Sequence, residues 1–492
     1  MCDHCLKNLN RREFVATGTA ALGAVSLAGM AASAAEPKNP MPAREKKPAV
    51  VKVVFLYPRP EDCDAGKAEA SWQEHNWHPY PGNQFRHDEQ RDKFAKKIGE
   101  MAKRIGLRVE IHPGHLDTTA KAKAYAAKIK PQKPDVVLAV SLSDPCHIRA
   151  FNIIKEVGVP GIMYVPTGAD HQLPPENFRK TPGLHFIYSI ENWDEIERSL
   201  RAVHAKKMLG QSRMLRVFGG KNSQSTDKLL GFETVVIPAA EYNDLFDSIK
   251  PDEAMKNQAM AYKKTASRIM DVTDHYIIDG FRAHKVVETL LTRYGGDAIT
   301  INCLHLRHRK PCISFSINNG QLTPCGCEND LVATLTMMLG THLFGRGGFQ
   351  HNPGYDMTRN RYFATHCTCA TKLHGPKGDA QELLIRPFFH HLPKTAALDV
   401  QWTPQSPALL MKYAYTNGPL VHAWTGKVIE SPKSPPTGGC ATRVLVEFDD
   451  VDDIATVYPG SHPVLYSVSP MEARALKIFA KLYKVKLAGN IS

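Results

Sequence analysis

The chain has 492 residues, of which 43% are hydrophobic and 23% are charged, as in globular proteins with several domains. Its formal net charge is +13, but the lysines and arginines are dispersed and often stand beside acids, as in "EQRDKFAKKIGEMAKRIG". This pattern indicates solvated helix faces and argues against a nucleic-acid groove, while an attraction to acidic sugars or anionic surfaces stays open.

The first 35 residues contain the adjacent pair Arg11 and Arg12, followed by an uncharged stretch rich in Ala and Gly that ends at Ala32-Ser33-Ala34. This pattern resembles a twin-arginine export signal with an A-x-A cleavage site, and an uncleaved membrane anchor is the alternative. We therefore expect a periplasmic or otherwise extracytoplasmic protein without a stable membrane anchor after signal removal. Residues 36–48, rich in Pro and Lys, are expected to be a linker.

The next region, residues 49–185, alternates strand and helix signals. "AVVKVVFLYP", "PDVVLAVSL" and "VPGIMYVP" are continuous apolar runs typical of strands buried on both faces, and helical periodicity lies between them. This order predicts a parallel sheet covered by helices. No G-x-G-x-x-G follows the first strand, which argues against a dinucleotide site.

The pattern restarts at residue 186 with "HFIYSI" and continues through a long helical region at 252–294 and the apolar run "DAITINCL". Residues 186–342 are therefore expected to form a second α/β domain. Residues 343–492 consist mainly of short alternating runs separated by Gly, Pro and Asn, before a last helix in "SPMEARALKIFAKLYKV". The predicted fold is two doubly wound α/β domains followed by a β-rich, barrel-like C-terminal domain.

The stretch "TPCGCENDLVATLTMML" allows two interpretations. In the first, Cys325 and Cys327 bind a structural zinc together with His366, Cys367 and Cys369 of "HCTC". Structural zinc sites usually use cysteines two to four residues apart, and a single intervening residue reaches one tetrahedral ion only with strain. In a strand, positions 325 and 327 would share a face and serve as small core residues.

In the second interpretation, Glu328 stands at the junction of a strand and a helix, where Asp330 caps the helix N-terminus. A carboxylate at the carboxyl end of a strand in an α/β domain points into the crevice where such sheets bind ligands. The structural alternative for Glu328 is a second capping acid.

Several motifs in family order resemble the L-fucose and L-arabinose isomerases over roughly residues 50 to 490. They are "GGDAITINCL", "PCISFSINNGQLTPCGCENDLVATLTMML", "THC", "PPTGGCATRVLVEF" and "GSHPVLYSV". The resemblance implies an aldose–ketose isomerase that acts on a monosaccharide through an enediol. It also implies a divalent metal cofactor, for which Mn²⁺ suits oxygen and imidazole ligands best, and a homo-oligomer.

The resemblance also implies roles for individual residues. Glu328 matches a metal ligand and acid–base group, and His462 and His366 match histidine ligands. Asn352, in "GRGGFQHNPGYD", stands where the family usually has Asp. Its amide oxygen is able to coordinate an ion, but it cannot carry a proton.

The loss of that acid leaves three possibilities. Asp356 supplies the missing carboxylate, Glu328 works alone, or the chain has kept the pocket and changed or lost the reaction. In the last case the protein is an exported, non-catalytic sugar-binding protein on the isomerase scaffold. His351 is close enough in sequence to join the site, although loop histidines are more often merely exposed.

Overall fold

The structure is a computed structural model that describes residues 40–69, 77–170, 173–388, 395–415 and 418–491. The export-signal pattern of residues 1–35 lies outside these ranges. The protein is a mixed α/β fold that contains a parallel sheet and an antiparallel sheet curled into a half-barrel. The predicted class is thus confirmed at this level, and the division into three domains stays a prediction.

Five parallel strands form the first sheet, and the helices of this region follow them in alternation. The strands are β1 (Val50–Leu56), β2 (Arg108–Leu116), β3 (Val136–Ser141), β4 (Gly161–Val165) and β5 (Leu184–Tyr188), and the helices are α1 (Pro60–Asp64), α2 (His87–Ile105), α3 (Thr119–Ile129), α4 (His147–Val157) and α5 (Glu176–Lys180). The order is β2-β1-β3-β4-β5. Because β5 pairs with β4, the apolar run at the predicted restart near residue 186 belongs to this first sheet.

The second sheet has the order β11-β10-β6-β8-β7 and is parallel except for β7. The predicted helical region 252–294 is two helices separated by a short strand, because β9 pairs with a strand of a small third sheet. The elements of this region are α6 (Trp193–Gln211), β6 (Arg213–Val217), β7 (Ser223–Thr226), β8 (Glu233–Ile237), α7 (Ala239–Ser248), α8 (Glu253–Lys263), β9 (Arg268–Ile269), α9 (Asp274–Arg293), β10 (Ala298–Ile301), α10 (Cys312–Gly320), β11 (Cys325–Gly326) and α11 (Leu331–Phe344).

The half-barrel is built from the last part of the chain, as the short alternating runs predict. Its elements, with those of the small sheet, are β12 (Phe349–Gln350), β13 (Asn352–Asp356), β14 (Arg361–His366), β15 (Leu383–Pro387), β16 (Ala396–Val400), β17 (Pro407–Ala414), β18 (Leu420–Glu430), β19 (Thr442–Phe448), β20 (Val464–Tyr466), α12 (Pro470–Tyr483) and β21 (Lys486–Ala488). The order is β12-β20-β17-β18-β19-β14-β13, with β21 parallel to β18, and β15 and β16 join β9 in the small sheet.

Helix α11 connects these parts, because it is buried along most of its length and packs against α6 and against β17 of the half-barrel. Two glycines permit close packing here: a Cβ on Gly326 would lie 1.9 Å from Thr334 Oγ1, and one on Gly340 would lie 2.3 Å from the Tyr466 ring. In the part of the chain that the structure describes, no helix has the length and apolar character needed to cross a membrane.

Candidate metal centre

Three side chains from separate segments converge beside the N-terminus of α11. Glu328 follows β11, His366 ends β14, and His462 lies in the turn before β20. The Glu328 Oε1 atom is 3.3 Å from His366 Nε2, and its Oε2 atom is 3.4 Å from His462 Nε2. One ligand atom from each of the three residues lies within 4.8 Å of the others, so they are close enough to share one ion.

The backbone at this point is strained. Glu328, Asn329 and His462 have φ angles of 58°, 59° and 47°, in the left-handed region that residues other than glycine rarely adopt. Each such residue costs on the order of 1 kcal/mol and persists only where surrounding contacts hold it. Asn329 is held by Arg216, whose Nε donates to its Oδ1 at 2.7 Å. Such strain is typical of functional sites.

The donor set fits a divalent ion. One carboxylate and two imidazoles suit Mn²⁺ and similar first-row ions. The His366 Nε2 atom is buried and close to Glu328 Oε1, yet it is not aligned for a hydrogen bond, as expected if both atoms point toward a shared third centre. The Glu328 side chain is 27% exposed and the His366 side chain 2%, so the carboxylate is the group that a ligand from solvent reaches.

A second carboxylate orients one of the histidines. Asp330 Oδ2 lies 3.0 Å from His462 Nδ1, on the side of the ring away from Glu328. Asp330 Oδ1 accepts from the backbone N–H of Ala333 at 2.7 Å, which confirms its predicted role as the N-cap of α11. Lys412 Nζ lies 3.4 Å from Asp330 Oδ2 and donates to the backbone oxygen of His462 at 3.2 Å. Carboxylate–histidine pairs of this kind fix the ring orientation of metal-ligating histidines.

The charges at the site are strongly coupled. Interactions with His366 and then His462 lower the pKa of Glu328, although burial opposes them. Burial alone would lower the pKa of His462, but Asp330 and Glu328 outweigh it and raise this pKa to about 9. The pKa of His366 is also raised, because Glu328, together with Cys327 and Cys440, outweighs the effect of burial. Ion binding by these imidazoles therefore requires the release of protons.

The structure does not bring Asp356 to this cluster. Asn352 and Asp356 are at opposite ends of β13, where Asn352 pairs with Thr365, the neighbour of His366. Four residues of strand separate the two by about 13 Å. The Asp356 carboxylate accepts from Thr358 Oγ1 at 2.9 Å in the hairpin turn. Asn352 is exposed and lies at the end of β13 that is nearer His366, but it has no carboxylate.

Two residues just before Asn352 have structural roles that the sequence pattern did not indicate. Gln350 is fully buried; its Oε1 accepts from the backbone N–H of Cys327 at 2.8 Å and its Nε2 donates to the Cys327 oxygen at 3.1 Å. It thereby fixes the segment that carries Glu328. His351 is not an exposed loop residue, because it is fully buried and its Nε2 lies 2.8 Å from the Tyr362 hydroxyl.

The structure gives the residues of the zinc interpretation different surroundings. Because β11 is only two residues long, Cys325 and Cys327 are not two positions on one face of a strand. Cys369 also lies apart, and its Sγ accepts from Trp402 Nε1 at 3.3 Å. Cys327, Cys367 and His366 do come together, with ligand atoms within 4.8 Å of one another.

No protein-family model matches this chain, and no curated protein is found to be similar to it. Among solved structures, similar chains include two whose titles are "XylFII-LytSN complex" and "XylFII molecule". Each is 13% identical to this chain, and the superposition covers 52% of this chain and 80% of the solved chain with a TM-score of 0.16. A similarity at this TM-score says nothing about the site, so the conclusions about function depend on the geometry described above and on the resemblance of the motifs.

Proposed function

We propose that this chain is an aldose–ketose isomerase that uses a divalent cation, Mn²⁺ or a similar ion, and resembles L-fucose isomerase. The substrate class is a free monosaccharide, interconverted between aldose and ketose through an enediol. The observation that supports the proposal most directly is the convergence of Glu328, His366 and His462, which the motif resemblance implies and which no local pattern would require.

The residues present suit the first part of this task. His366 and His462 would hold the ion through their Nε2 atoms and Glu328 through a carboxylate oxygen, while Asp330 keeps the His462 ring in place. When bound, the ion stabilises negative charge on the two sugar oxygens as the carbonyl moves. His366 is buried and the Asp330 side chain is 15% exposed, so the more exposed Glu328 is the group that we expect a sugar to approach.

The proton must then move between neighbouring carbons, which requires a group that accepts and returns it. Two other carboxylates are engaged elsewhere: Asp330 contacts His462 Nδ1 and the Ala333 N–H, and Asp356 accepts from Thr358 in its hairpin turn. We assign the proton transfer to Glu328, which has one oxygen toward each histidine and remains partly exposed. Asn352 contributes at most an amide oxygen to the ion or the sugar.

The test is exchange of solvent deuterium into sugar carbon positions. The protein is incubated in D₂O with Mn²⁺ and a panel of aldoses and deoxy sugars, and C1 and C2 are followed by NMR. We expect exchange with at least one sugar and its loss in Glu328→Gln. Glu447→Gln is the matched control, because Glu447 lies on β19 and pairs with Arg361 and Lys427 at the sheet surface. Exchange that survives in Glu328→Gln would disprove the assignment.

A second candidate function is non-catalytic sugar binding. The position of Asp356 favours it, since the structure provides no replacement for the acid that is missing at Asn352 among the described residues of the cluster. Saturable sugar binding without deuterium exchange, measured on the same samples by calorimetry, would support this function over the isomerase.

The proposal also includes export of the protein and its assembly into an oligomer. We expect signal removal after Ala34 and a homo-oligomer outside the cytoplasm. N-terminal sequencing of protein from the periplasmic fraction and light scattering of the purified protein test these two points.

A further inference from the structure

A second cluster of potential ligands lies behind the Glu328 centre, and the isomerase chemistry does not use it. Five cysteines from five segments approach one another, and three of them, Cys327, Cys367 and Cys440, also interact with His366; the other two are Cys303 and Cys312. The Sγ atoms of Cys303 and Cys327 are 2.9 Å apart, and those of Cys312 and Cys367 are 3.6 Å apart. None of the five forms a disulfide, and all are buried except Cys440, which is intermediate.

The ordinary explanation for buried cysteines is that they fill space as small apolar groups. Cys369 has such a structural role, because it is fully buried and its Sγ accepts from Trp402 Nε1. In the cluster, however, the sulfur atoms face one another and an imidazole nitrogen. Cys367 Sγ lies 3.7 Å from His366 Nδ1 and also interacts with Cys440. A group of polarizable sulfurs with a nitrogen among them is what a soft ion requires.

The distances identify which members share an ion. Ligand atoms of Cys327, His366 and Cys367 are within 4.8 Å of one another. Zinc–sulfur bonds of about 2.3 Å and zinc–nitrogen bonds of about 2.0 Å place the donors of a tetrahedral ion about 3.5–3.8 Å apart, so small side-chain rotations suffice. Cys303 is not among these three residues, and its Sγ, 2.9 Å from that of Cys327, would have to move away for both to bind one tetrahedral ion. Cys440, next to Cys367, is the residue available for the fourth position.

His366 presents a different nitrogen to each cluster. Its Nε2 faces Glu328 and its Nδ1 faces Cys367. We propose that Cys327, Cys367 and His366 Nδ1, completed by Cys440, form a thiolate-rich structural site for Zn²⁺, separate from the Glu328 centre and joined to it by one imidazole. The zinc would fix the orientation of His366, and binding of both ions through this ring would require release of its last N–H proton to solvent. This inference does not depend on the isomerase reaction.

The experiment is metal analysis of full-length protein purified under reducing conditions without added metal. We expect about one zinc per chain, as a closed structural site retains its ion. The ratio should fall at least about tenfold in Cys327→Ser and Cys367→Ser. It should be unchanged in Cys369→Ser, which removes an equally buried cysteine whose Sγ contacts Trp402. Glu328→Gln should lose Mn²⁺ binding and keep zinc. A failure of one proposal can therefore be distinguished from a failure of the other.

A measurement on the unmodified chain covers the case in which a cysteine variant does not fold. Replacement of zinc by Co²⁺ should give the intense thiolate-to-cobalt charge-transfer absorption of a sulfur-ligated ion. The proposal is overturned if this band is missing, if zinc persists in both cluster variants, or if it is lost only in Glu328→Gln. It is also overturned if mass spectrometry finds Cys303 and Cys327 joined as a disulfide in zinc-free protein.

Discussion

The substitution Asp330→Asn separates two roles that one side chain combines. Oδ1 caps α11 through the Ala333 N–H, and Oδ2 holds His462 Nδ1 at 3.0 Å. Asparagine is as good an N-cap as aspartate, so the helix should keep its cap. The interaction that changes is the one with His462, because an amide lacks the negative charge that fixes and polarises the ring.

The loss of Mn²⁺ affinity expected for Asp330→Asn depends on pH. Loss of an outer carboxylate from a metal-bound histidine typically costs about 10- to 100-fold in affinity, or about 1.4–2.7 kcal/mol. At pH 7, however, the pKa of His462 near 9 means that a proton competes with the ion, by about two decades in affinity. Asp330→Asn lowers that pKa and relieves part of the competition. The full loss should therefore appear near pH 9, and a smaller one at pH 7.

The assay is calorimetric titration of metal-free protein with Mn²⁺ under anaerobic conditions at both pH values. The substitution also leaves the buried Lys412 without its carboxylate, which should lower thermal stability. The double variant Asp330→Asn with Lys412→Met should regain the melting temperature but not the affinity at pH 9. An unchanged Mn²⁺ affinity of Asp330→Asn at pH 9 would show that Asp330 does not support the ion site.

Three further predictions follow from individual contacts. For the unmodified protein, Mn²⁺ affinity should rise by at least about tenfold per pH unit from pH 7 toward 9, because His462, with a pKa of about 9, must lose its proton. Titrations in buffers of different ionisation enthalpy should detect the proton release. Gly326→Ala should destabilise the fold by about 1–3 kcal/mol and weaken Mn²⁺ binding, since its Cβ would meet Thr334. The control Gly438→Ala has open space around it and should change neither quantity. Chemical denaturation measures the stability and calorimetry the affinity. Ser469→Ala removes the capping box of α12 and should cost about 1 kcal/mol without affecting ion affinity, as judged by denaturant melts.

Part of this arrangement could be predicted from local patterns. Continuous apolar runs predicted β1, β3 and β4, and the cap signal at Asp330 is confirmed in both position and chemistry. The run at 184–188 was harder to place, because whether a strand joins the preceding or the following sheet is decided by pairing between distant residues. The same limit explains the break at β9 inside the predicted helical region.

The proximity of the ion-site residues could not be predicted from local sequence patterns. The proximity of Glu328 and His462 was expected from the motif resemblance, and no periodicity in the chain would have revealed it. Lys412 lies in a strand whose alternation indicates only a sheet, so its contact with Asp330 had no sequence signal. Gln350 and His351 belong to a segment that reads as a loop, yet a buried polar side chain has to find partners, and these are supplied by Cys327 and Tyr362.

The dispersed origin of the candidate ligands has a consequence for biogenesis. His462 is synthesised more than a hundred residues after Glu328 and only shortly before helix α12, so a chain still emerging from the ribosome lacks the full set of candidate ligands. Loading is therefore a late event that follows closure of the half-barrel onto α11. Tight binding of the ion would then occur only in a polypeptide that has finished folding.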